Sequence, residues 1–228
     1  MRIFLDAGGH EGETLAVVMQ PRWGFDRIWT FEPAPVCIPV LEAMADDRVT
    51  VVPAGLWSSD CEMELFQPGE RHASVDPWAS LGPGEMCQFI DVAAWMREHI
   101  SPTDDVWLKI NIEAAEIEVI DRLLVSGEMA KVDHLVVHFD VEYMGQPERA
   151  TALRRQLDAS KVAWREARDA MFGRTVAAKT ETWLLWTTGH RVVFHRRKIE
   201  HLARRGVWET RKAVRRATRA VTSRDTSV

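Results

Sequence analysis

The chain has 228 residues, of which 46% are hydrophobic and 28% are charged, and its formal net charge is −5. These proportions are ordinary for a globular protein, so they exclude a disordered chain and a fibrous repeat. A chain of this length buries most of its apolar surface without needing disulfide bonds. No apolar run is long enough for a membrane-spanning helix, and the first residues do not have the pattern of a secretory signal.

The cysteines argue against a disulfide framework and against a zinc site. Cys37, Cys61 and Cys87 are odd in number and follow no metal-ligand spacing. No other cluster in the sequence requires a metal. We expect a cytoplasmic protein, because a reducing compartment suits three free thiols.

The charge is unevenly distributed along the chain. Residues 189–228 contain twelve Lys and Arg and three Asp and Glu, a balance of +9, whereas the remainder has a balance of −14. This asymmetry divides the chain into a domain at 1–188 and an Arg-rich helical tail at 189–228. We expect the tail to be a solvated helix, and contact with an anionic membrane surface or with nucleic acid is the alternative.

Short apolar runs alternate with segments of helical spacing through most of the sequence. The first run ends in a glycine turn at residues 6–9, and the same pattern then repeats. Strands are predicted at 3–5, 27–32, 49–57, 106–112 and 134–139, and helices at 13–19, 37–45, 92–99, 114–124 and 148–159. The stretch 58–84 is rich in Ser, Asp, Gly and Pro, and it predicts loops and short hairpin strands.

The alternation predicts an α/β fold with a doubly wound, mostly parallel sheet. The last two apolar runs, at 162–167 and 180–186, have no helical pattern between them. We therefore expect them to pair antiparallel, which adds one late antiparallel strand to the sheet. The basic tail follows as helix.

The turn after the first strand and the end of the second strand form the first candidate site. Gly8, Gly9 and Gly12 allow close approach of the backbone to a ligand. Glu32 ends the next strand, where an acidic residue can accept hydrogen bonds from the two ribose hydroxyls of a nucleotide-like ligand. A dinucleotide stays open, but the turn is not GxGxxG, and a free carboxylate at Asp6 would repel a pyrophosphate. A cationic or zwitterionic cofactor suits this turn better.

Four ordered segments of the chain resemble one known family. They are Asp6-x-Gly8-x-x-x-Gly12, Phe31-Glu32-Pro33, Val52-Pro-Ala-Gly-Leu-Trp57 and Leu108-Lys109-Ile-Asn111-Ile-Glu113-Ala-Ala-Glu116. In order and spacing they are similar to FkbM-type methyltransferases, which are class I enzymes dependent on S-adenosylmethionine. The resemblance covers about residues 1–145. It implies a Rossmann-like class I methyltransferase sheet, S-adenosylmethionine as the cofactor and methyl transfer to a hydroxyl oxygen.

The resemblance also implies where the cofactor is bound. The residues that it assigns to this site are Asp6, Gly8, Gly9 and Gly12 at the methionine part, Glu32 and Pro33 at the ribose, and Gly55, Leu56 and Trp57 at the adenine.

The fourth-strand signature of that family, Lys-x-Asp-x-Glu-Gly-x-Glu, is kept only in part. Lys109, Glu113 and Glu116 are present, but Asn111 replaces the Asp and Ala114 replaces the Gly. Asn111 can donate and accept hydrogen bonds, yet it can neither act as a base nor supply a negative charge. Both departures lie beside the methyl-transfer site that the resemblance implies.

Methyl transfer to oxygen requires a group that removes the hydroxyl proton. His138 and Asp140 end the fifth strand, and the alternation of side chains along a strand places them on the same face. Histidine is the commonest proton acceptor near neutral pH, while His10 and His72 are weaker candidates. The predicted catalytic residues are Lys109, Asn111, Glu113, His138 and Asp140.

Three functions are consistent with these patterns. The first is O-methylation of a glycan or of a small secondary metabolite by an S-adenosylmethionine-dependent enzyme. The second is a catalytically silent binding or scaffold protein that retains the cofactor fold, and it is motivated by Asn111 and Ala114. The third is a nucleic-acid methyltransferase, which ranks last because the chain lacks an Asn-Pro-Pro-aromatic motif. The oligomeric state stays open.

Overall fold

The computed structural model describes residues 1–70, 72–75, 83–113, 115–139 and 147–222, with side chains as far as residue 206. The chain divides into two units, Met1–Ala170 and Met171–Val228. The predicted boundary after residue 188 therefore lies inside the second unit. All predicted site residues have numbers that fall in the first unit.

The strands of the first unit agree with the apolar runs of the sequence, except that the single strand predicted at 49–57 is wrong, because this run forms two short strands that belong to different sheets. In chain order they are β1 (Arg2–Ala7), β2 (Arg27–Phe31), β3 (Val49–Val52), β4 (Gly55–Trp57), β5 (Cys61–Phe66), β6 (Gly84–Asp91), β7 (Asp105–Ile110), β8 (His134–Val137) and β9 (Ala163–Glu166). The helices of this unit are α1 (Leu15–Val18), α2 (Ile38–Met44), α3 (Val92–His99), α4 (Glu116–Ser126), α5 (Pro147–Ala159) and α6 (Ala167–Ala170).

The main sheet has six strands in the order β3-β2-β1-β7-β8-β9, and all its neighbours are parallel. The predicted α/β class with a doubly wound, mostly parallel sheet is confirmed. The strand β7 is buried from Val106 to Ile110, which explains its continuously apolar sequence. Its core neighbours come from β1, β8 and helices α3, α4 and α5.

The predicted late antiparallel strand is wrong. The run 162–167 contains β9, which pairs parallel with β8. The run 180–186 is helical and lies in α7 (Val176–Thr187) of the second unit. Thr175 begins this helix, since its side chain accepts a hydrogen bond from the backbone N–H of Ala178 at 3.1 Å. Thr180, Thr182 and Trp183 of the run are buried on a helix, so tertiary packing overrides their preference for strands.

A second, smaller sheet has the order β4-β6-β5. Strand β5 lies inside the stretch 58–84, which predicted loops and short hairpin strands, and it pairs antiparallel with β6, which begins at the last residue of that stretch, so the hairpin strand is confirmed for β5. Residues 71 and 76–82, between these strands, lie outside the described part of the chain. The small sheet has its own apolar cluster, which includes Leu65, Cys87 and Phe89.

The second unit contains α7 and the long helix α8 (Arg191–Thr222). The prediction that the basic tail is helical is therefore confirmed. Among the described residues, no helix is both long enough and apolar enough to cross a lipid bilayer.

Candidate functional site

The predicted site residues gather at one edge of the main sheet. Parallel pairing brings the carboxyl ends of β1, β2, β7 and β8 side by side. From β1 the chain continues to β2 on one side, whereas from β7 it continues to β8 on the other side. The position between β1 and β7 is therefore the switch point of the sheet, where doubly wound sheets form a ligand crevice. The residues that directly follow these four strands are Gly8, Glu32, Asn111 and His138.

The glycine turn after β1 packs tightly against neighbouring chain segments. Gly8 and Gly12 have φ values of 90° and 78°, which an L side chain rarely adopts. A Cβ atom on Gly8 would lie 2.1 Å from the carbonyl oxygen of Asn111, and one on Gly9 would lie 2.3 Å from the hydroxyl of Thr30. The protein's own packing thus accounts for these glycines, and their contact with a cofactor stays a prediction.

Asp6 and Lys109 form a buried ion pair beneath this turn. Asp6 has no exposed surface, Lys109 is 2% exposed, and Lys109 Nζ lies 2.7 Å from Asp6 Oδ1. Lys109 Nζ also donates to the carbonyl oxygen of Gly8 at 3.2 Å. Burial raises the pKa of Asp6, and the adjacent ammonium of Lys109 opposes that rise. The prediction of a free carboxylate at Asp6 is wrong, because β1 and β7 are neighbours and bring the two charges together.

One oxygen of Asp6 remains available for hydrogen bonding. Asp6 Oδ2 is buried and accepts no hydrogen bond from any described residue. An unsatisfied buried carboxylate oxygen is costly, so a donor that reached this edge would be stabilising.

Glu32 is fixed at the end of β2 by two backbone donors. Its Oε2 accepts a hydrogen bond from the N–H of His10 at 2.8 Å, and its Oε1 accepts one from the N–H of Ala34 at 2.9 Å. Glu32 is 7% exposed, and burial raises the pKa of its carboxyl group while these two N–H groups lower it. Each carboxylate oxygen has a further lone pair that can accept from a ligand hydroxyl.

His10 has a structural role that the sequence did not reveal. It has a φ of 47°, which is uncommon outside glycine and directs its N–H toward Glu32. Its Nε2 lies 3.0 Å from the carbonyl oxygen of Gly69, and its Nδ1 lies 3.7 Å from Glu13 Oε2. His10 therefore connects the glycine turn both to the end of β2 and to the segment after β5.

The segment after β5 also contacts the end of β7. Ser74 is 1% exposed and donates its hydroxyl to the carbonyl oxygen of Glu113 at 2.7 Å. Glu113 has a φ of 43°, and its Oε2 lies 3.8 Å from Nδ1 of His72. Composition alone gave no sign that Ser74 would be buried. Gly69, His72 and Ser74 thus contact two of the loops that line the carboxyl edge.

The remaining catalytic candidates occupy the same edge. Asn111 donates its backbone N–H to Ala7 at 3.1 Å, and His138 donates its backbone N–H to Ile110 at 2.9 Å. Both residues are half-buried. Two further predicted residues, Ala114 and Asp140, lie outside the described part of the chain.

The predicted adenine segment forms β4. A Cβ atom on Gly55 would lie 2.4 Å from the ring of Phe89, so this glycine is required by packing. Leu56 belongs to the main core. The half-buried Trp57 packs edge-on against Phe89, with ring centroids 6.3 Å apart. Contact of these residues with adenine, and of Pro33 with ribose, stays a prediction.

The residues described by the structure include no group of three or more His, Cys, Asp or Glu side chains placed to hold a metal ion.

Comparisons with known proteins give a structural similarity at low sequence identity. No family model matches the chain, and no curated protein matches it. A solved structure described as methyltransferase FkbM from Methylobacillus flagellatus KT is similar, with 15% identity and a TM-score of 0.46. The aligned region covers 68% of this chain and 37% of that chain, so the present chain spans little more than a third of that protein's length.

Proposed function

We propose that the chain is an S-adenosylmethionine-dependent methyltransferase. The observation that carries the proposal is the carboxylate of Glu32 at the end of β2, next to β1 at the switch point of the sheet. Two backbone N–H groups fix its orientation, and each oxygen retains capacity to accept from one hydroxyl of a ribose diol. Paired hydroxyl groups are therefore the chemistry that this carboxylate suits.

The charges around the glycine turn favour a cationic cofactor over a pyrophosphate. Two acidic side chains, Glu11 and Glu13, lie in the glycine turn or directly after it. The nearest buried cation, Lys109, is already paired with Asp6. S-adenosylmethionine carries a sulfonium and an ammonium group, whose positive charge this acidic surrounding attracts. When bound, the cofactor would supply an electrophilic methyl group.

We infer that the methyl acceptor is a hydroxyl of a glycan or a small molecule. His138 follows β8 at the same edge and is half-buried, so a base at this position would be partly shielded from water. Asn111, beside it at the end of β7, would orient the acceptor through its amide. Gly69, His72 and Ser74 contact the adjoining loops, and their segment would border the acceptor, as loops in such folds often determine specificity.

Calorimetric titration tests the cofactor part of the proposal. The wild type is expected to bind S-adenosylmethionine and S-adenosylhomocysteine, and Glu32→Gln is expected to weaken both by about tenfold or more. Glu166→Gln is the matched control, because Glu166 ends β9, is 8% exposed and lies away from the switch point. Melting temperatures of both variants would verify that each is folded. Equal affinities for the wild type and Glu32→Gln would refute the role of this carboxylate.

Transfer of a labelled methyl group tests the reaction itself. A panel of hydroxyl-bearing sugars and small molecules would be incubated with the enzyme and methyl-labelled cofactor. His138→Gln is expected to lower kcat by about a hundredfold while leaving S-adenosylhomocysteine affinity unchanged. An unaltered kcat would exclude His138 as the base.

A second candidate function rests on the residue at position 111. Asparagine there removes the negative charge found in the family that the sequence resembles, which suits a cofactor-binding protein without turnover. Binding of S-adenosylhomocysteine without transfer to any acceptor, together with transfer gained by Asn111→Asp, would favour this alternative.

The proposed setting is cytoplasmic. Cys37, Cys61 and Cys87 are all free thiols in the structure, which suits a reducing compartment.

A further inference from the structure

The long helix α8 exposes an apolar stripe. Val192, Ile199 and Leu202 are 84%, 67% and 52% exposed, whereas large apolar side chains of a monomeric protein are usually more buried. Their spacings of seven and three residues place them on one side of an α-helix. The three side chains therefore share one side of the helix, on which His195 lies between Val192 and Ile199.

The opposite side of α8 is already occupied within its own unit. Phe194 is 4% exposed, and the centroid of its ring lies 4.9 Å from the ring centroid of Trp186 and 5.7 Å from that of Phe172. Two residues along a helix turn the side chain by about 200°. Val192 therefore points away from the contacts that attach α8 to the rest of the unit, and nothing among the described residues covers the stripe.

The same helix is strongly basic. Its residues 191–222 include eleven Lys and Arg and two Asp and Glu, a balance of +9. Arg197 pairs with Glu181 of α7, and Arg196 pairs with Glu200 at 3.1 Å. Most of the positive charge is therefore not neutralised by acidic residues of the helix itself.

We propose that α8 binds the surface of an anionic lipid bilayer and lies in the plane of the interface. A helix with one apolar stripe, a Lys- and Arg-rich polar face and low overall hydrophobicity has this property. The exposed side chains would enter the boundary between headgroups and acyl chains. The basic residues would attract the negative surface. Charge complementarity thus selects an anionic bilayer as the occupant of the stripe.

Pairing with a second copy of α8 fits the sequence less well. A coiled coil needs apolar residues at both core positions of each heptad. Placing Val192 and Ile199 at the first core position puts Leu202 at the second, but it also puts His195 and Glu209 at the second and Gly206 at the next first position, so three of these six core positions do not carry a large apolar side chain. Nucleic acid would use the positive charge but would leave the apolar stripe in water.

Sedimentation of the full-length protein with vesicles tests the proposal. Vesicles of equal parts phosphatidylcholine and phosphatidylglycerol are expected to bind the protein, and binding should weaken as salt increases. Vesicles of pure phosphatidylcholine should bind far less. The double variant Ile199→Gln with Leu202→Gln should lower partitioning about tenfold or more at unchanged charge.

A matched control separates the stripe from surface apolarity in general. Val125 of α4 is 85% exposed, so Val125→Gln removes a comparable apolar side chain from the first unit and should leave vesicle binding unchanged. Circular dichroism would verify that the double variant keeps its helix content. Vesicle binding needs neither cofactor nor methyl acceptor, so its outcome is independent of the proposed enzymatic function.

Three outcomes would overturn the inference. The first is an absence of binding to the anionic vesicles, and the second is equal binding by the double variant and the wild type. The third is that the wild type self-associates in light scattering and does not bind vesicles, while the double variant no longer self-associates. The last result would assign the stripe to a second copy of the chain.

Discussion

The buried pair of Asp6 and Lys109 makes a quantitative prediction about stability. Replacing Lys109 by Met removes the ammonium 2.7 Å from Asp6 and leaves a carboxyl group with no exposed surface and no cation beside it. Removing one partner of a buried ion pair typically costs about 3–5 kcal/mol of unfolding free energy. Urea unfolding followed by tryptophan fluorescence at neutral pH would measure the loss.

Two further variants give the prediction its controls. Combining Asp6→Asn with Lys109→Met removes both charges and should recover most of the loss, because no uncompensated charge remains buried. Asp105→Asn breaks the ion pair between Arg2 and Asp105, whose side chains are 38% and 45% exposed, and it should cost no more than about 1 kcal/mol. Similar losses for Lys109→Met and Asp105→Asn would refute the account of the pair.

The pH dependence of the Lys109→Met variant gives an independent test. Burial raises the pKa of Asp6, and loss of the ammonium that opposes this rise would raise it further. The folded state then binds the Asp6 proton more tightly than the unfolded state does. The contribution of Asp6 to stability is therefore present below its ordinary pKa and is lost as pH rises through its raised pKa. The unfolding free energy of Lys109→Met should therefore fall more steeply with rising pH than that of the wild type. Equal slopes would contradict this reasoning.

Two other features of the first unit can be tested by substitution and by labelling. Gly8→Ala should lower the free energy of unfolding by at least about 2 kcal/mol. The new Cβ would clash with the backbone of Asn111, and alanine disfavours the positive φ at this position. Gly127→Ala has a similar φ of 82° but nothing within 4 Å, so chemical denaturation should show a loss of about 1 kcal/mol there. Burial raises the pKa of Cys37 and Cys87 to about 11, so a thiol reagent at mildly alkaline pH should label half-buried Cys61 first. Mass spectrometry that found Cys37 or Cys87 labelled before Cys61 would contradict their burial.

Local signals in the sequence were sufficient for most elements of the first unit. The predicted helix at 92–99 has the bounds of α3, because Asp91 accepts hydrogen bonds from the N–H groups of Ala93 and Ala94 and so begins the helix. Gly127 ends α4 in the left-handed conformation, as a glycine at that position predicts. The strands that precede the candidate site residues were equally visible as apolar runs.

Features that depend on tertiary neighbours could not be predicted from the sequence. The pairing of Asp6 with Lys109 requires β1 to lie beside β7, and the two residues are 103 positions apart. The positive φ of His10, which directs its N–H to Glu32, has no composition signal. The Thr and Trp content of α7 favours a strand, although Thr175 is a suitable residue to begin a helix.

Hydrogen–deuterium exchange with and without S-adenosylhomocysteine tests the central claim most directly. The claim is that a cofactor binds across the carboxyl edge beside Glu32. Exchange should slow at residues 8–13 and 32–36, because they include the N–H groups of His10 and Ala34 that hold the Glu32 carboxylate. Exchange should stay unchanged at residues 101–105, which lie at the opposite edge of the sheet. Ligand binding detected by calorimetry without protection at 8–13 and 32–36 would contradict the account, as would the absence of binding.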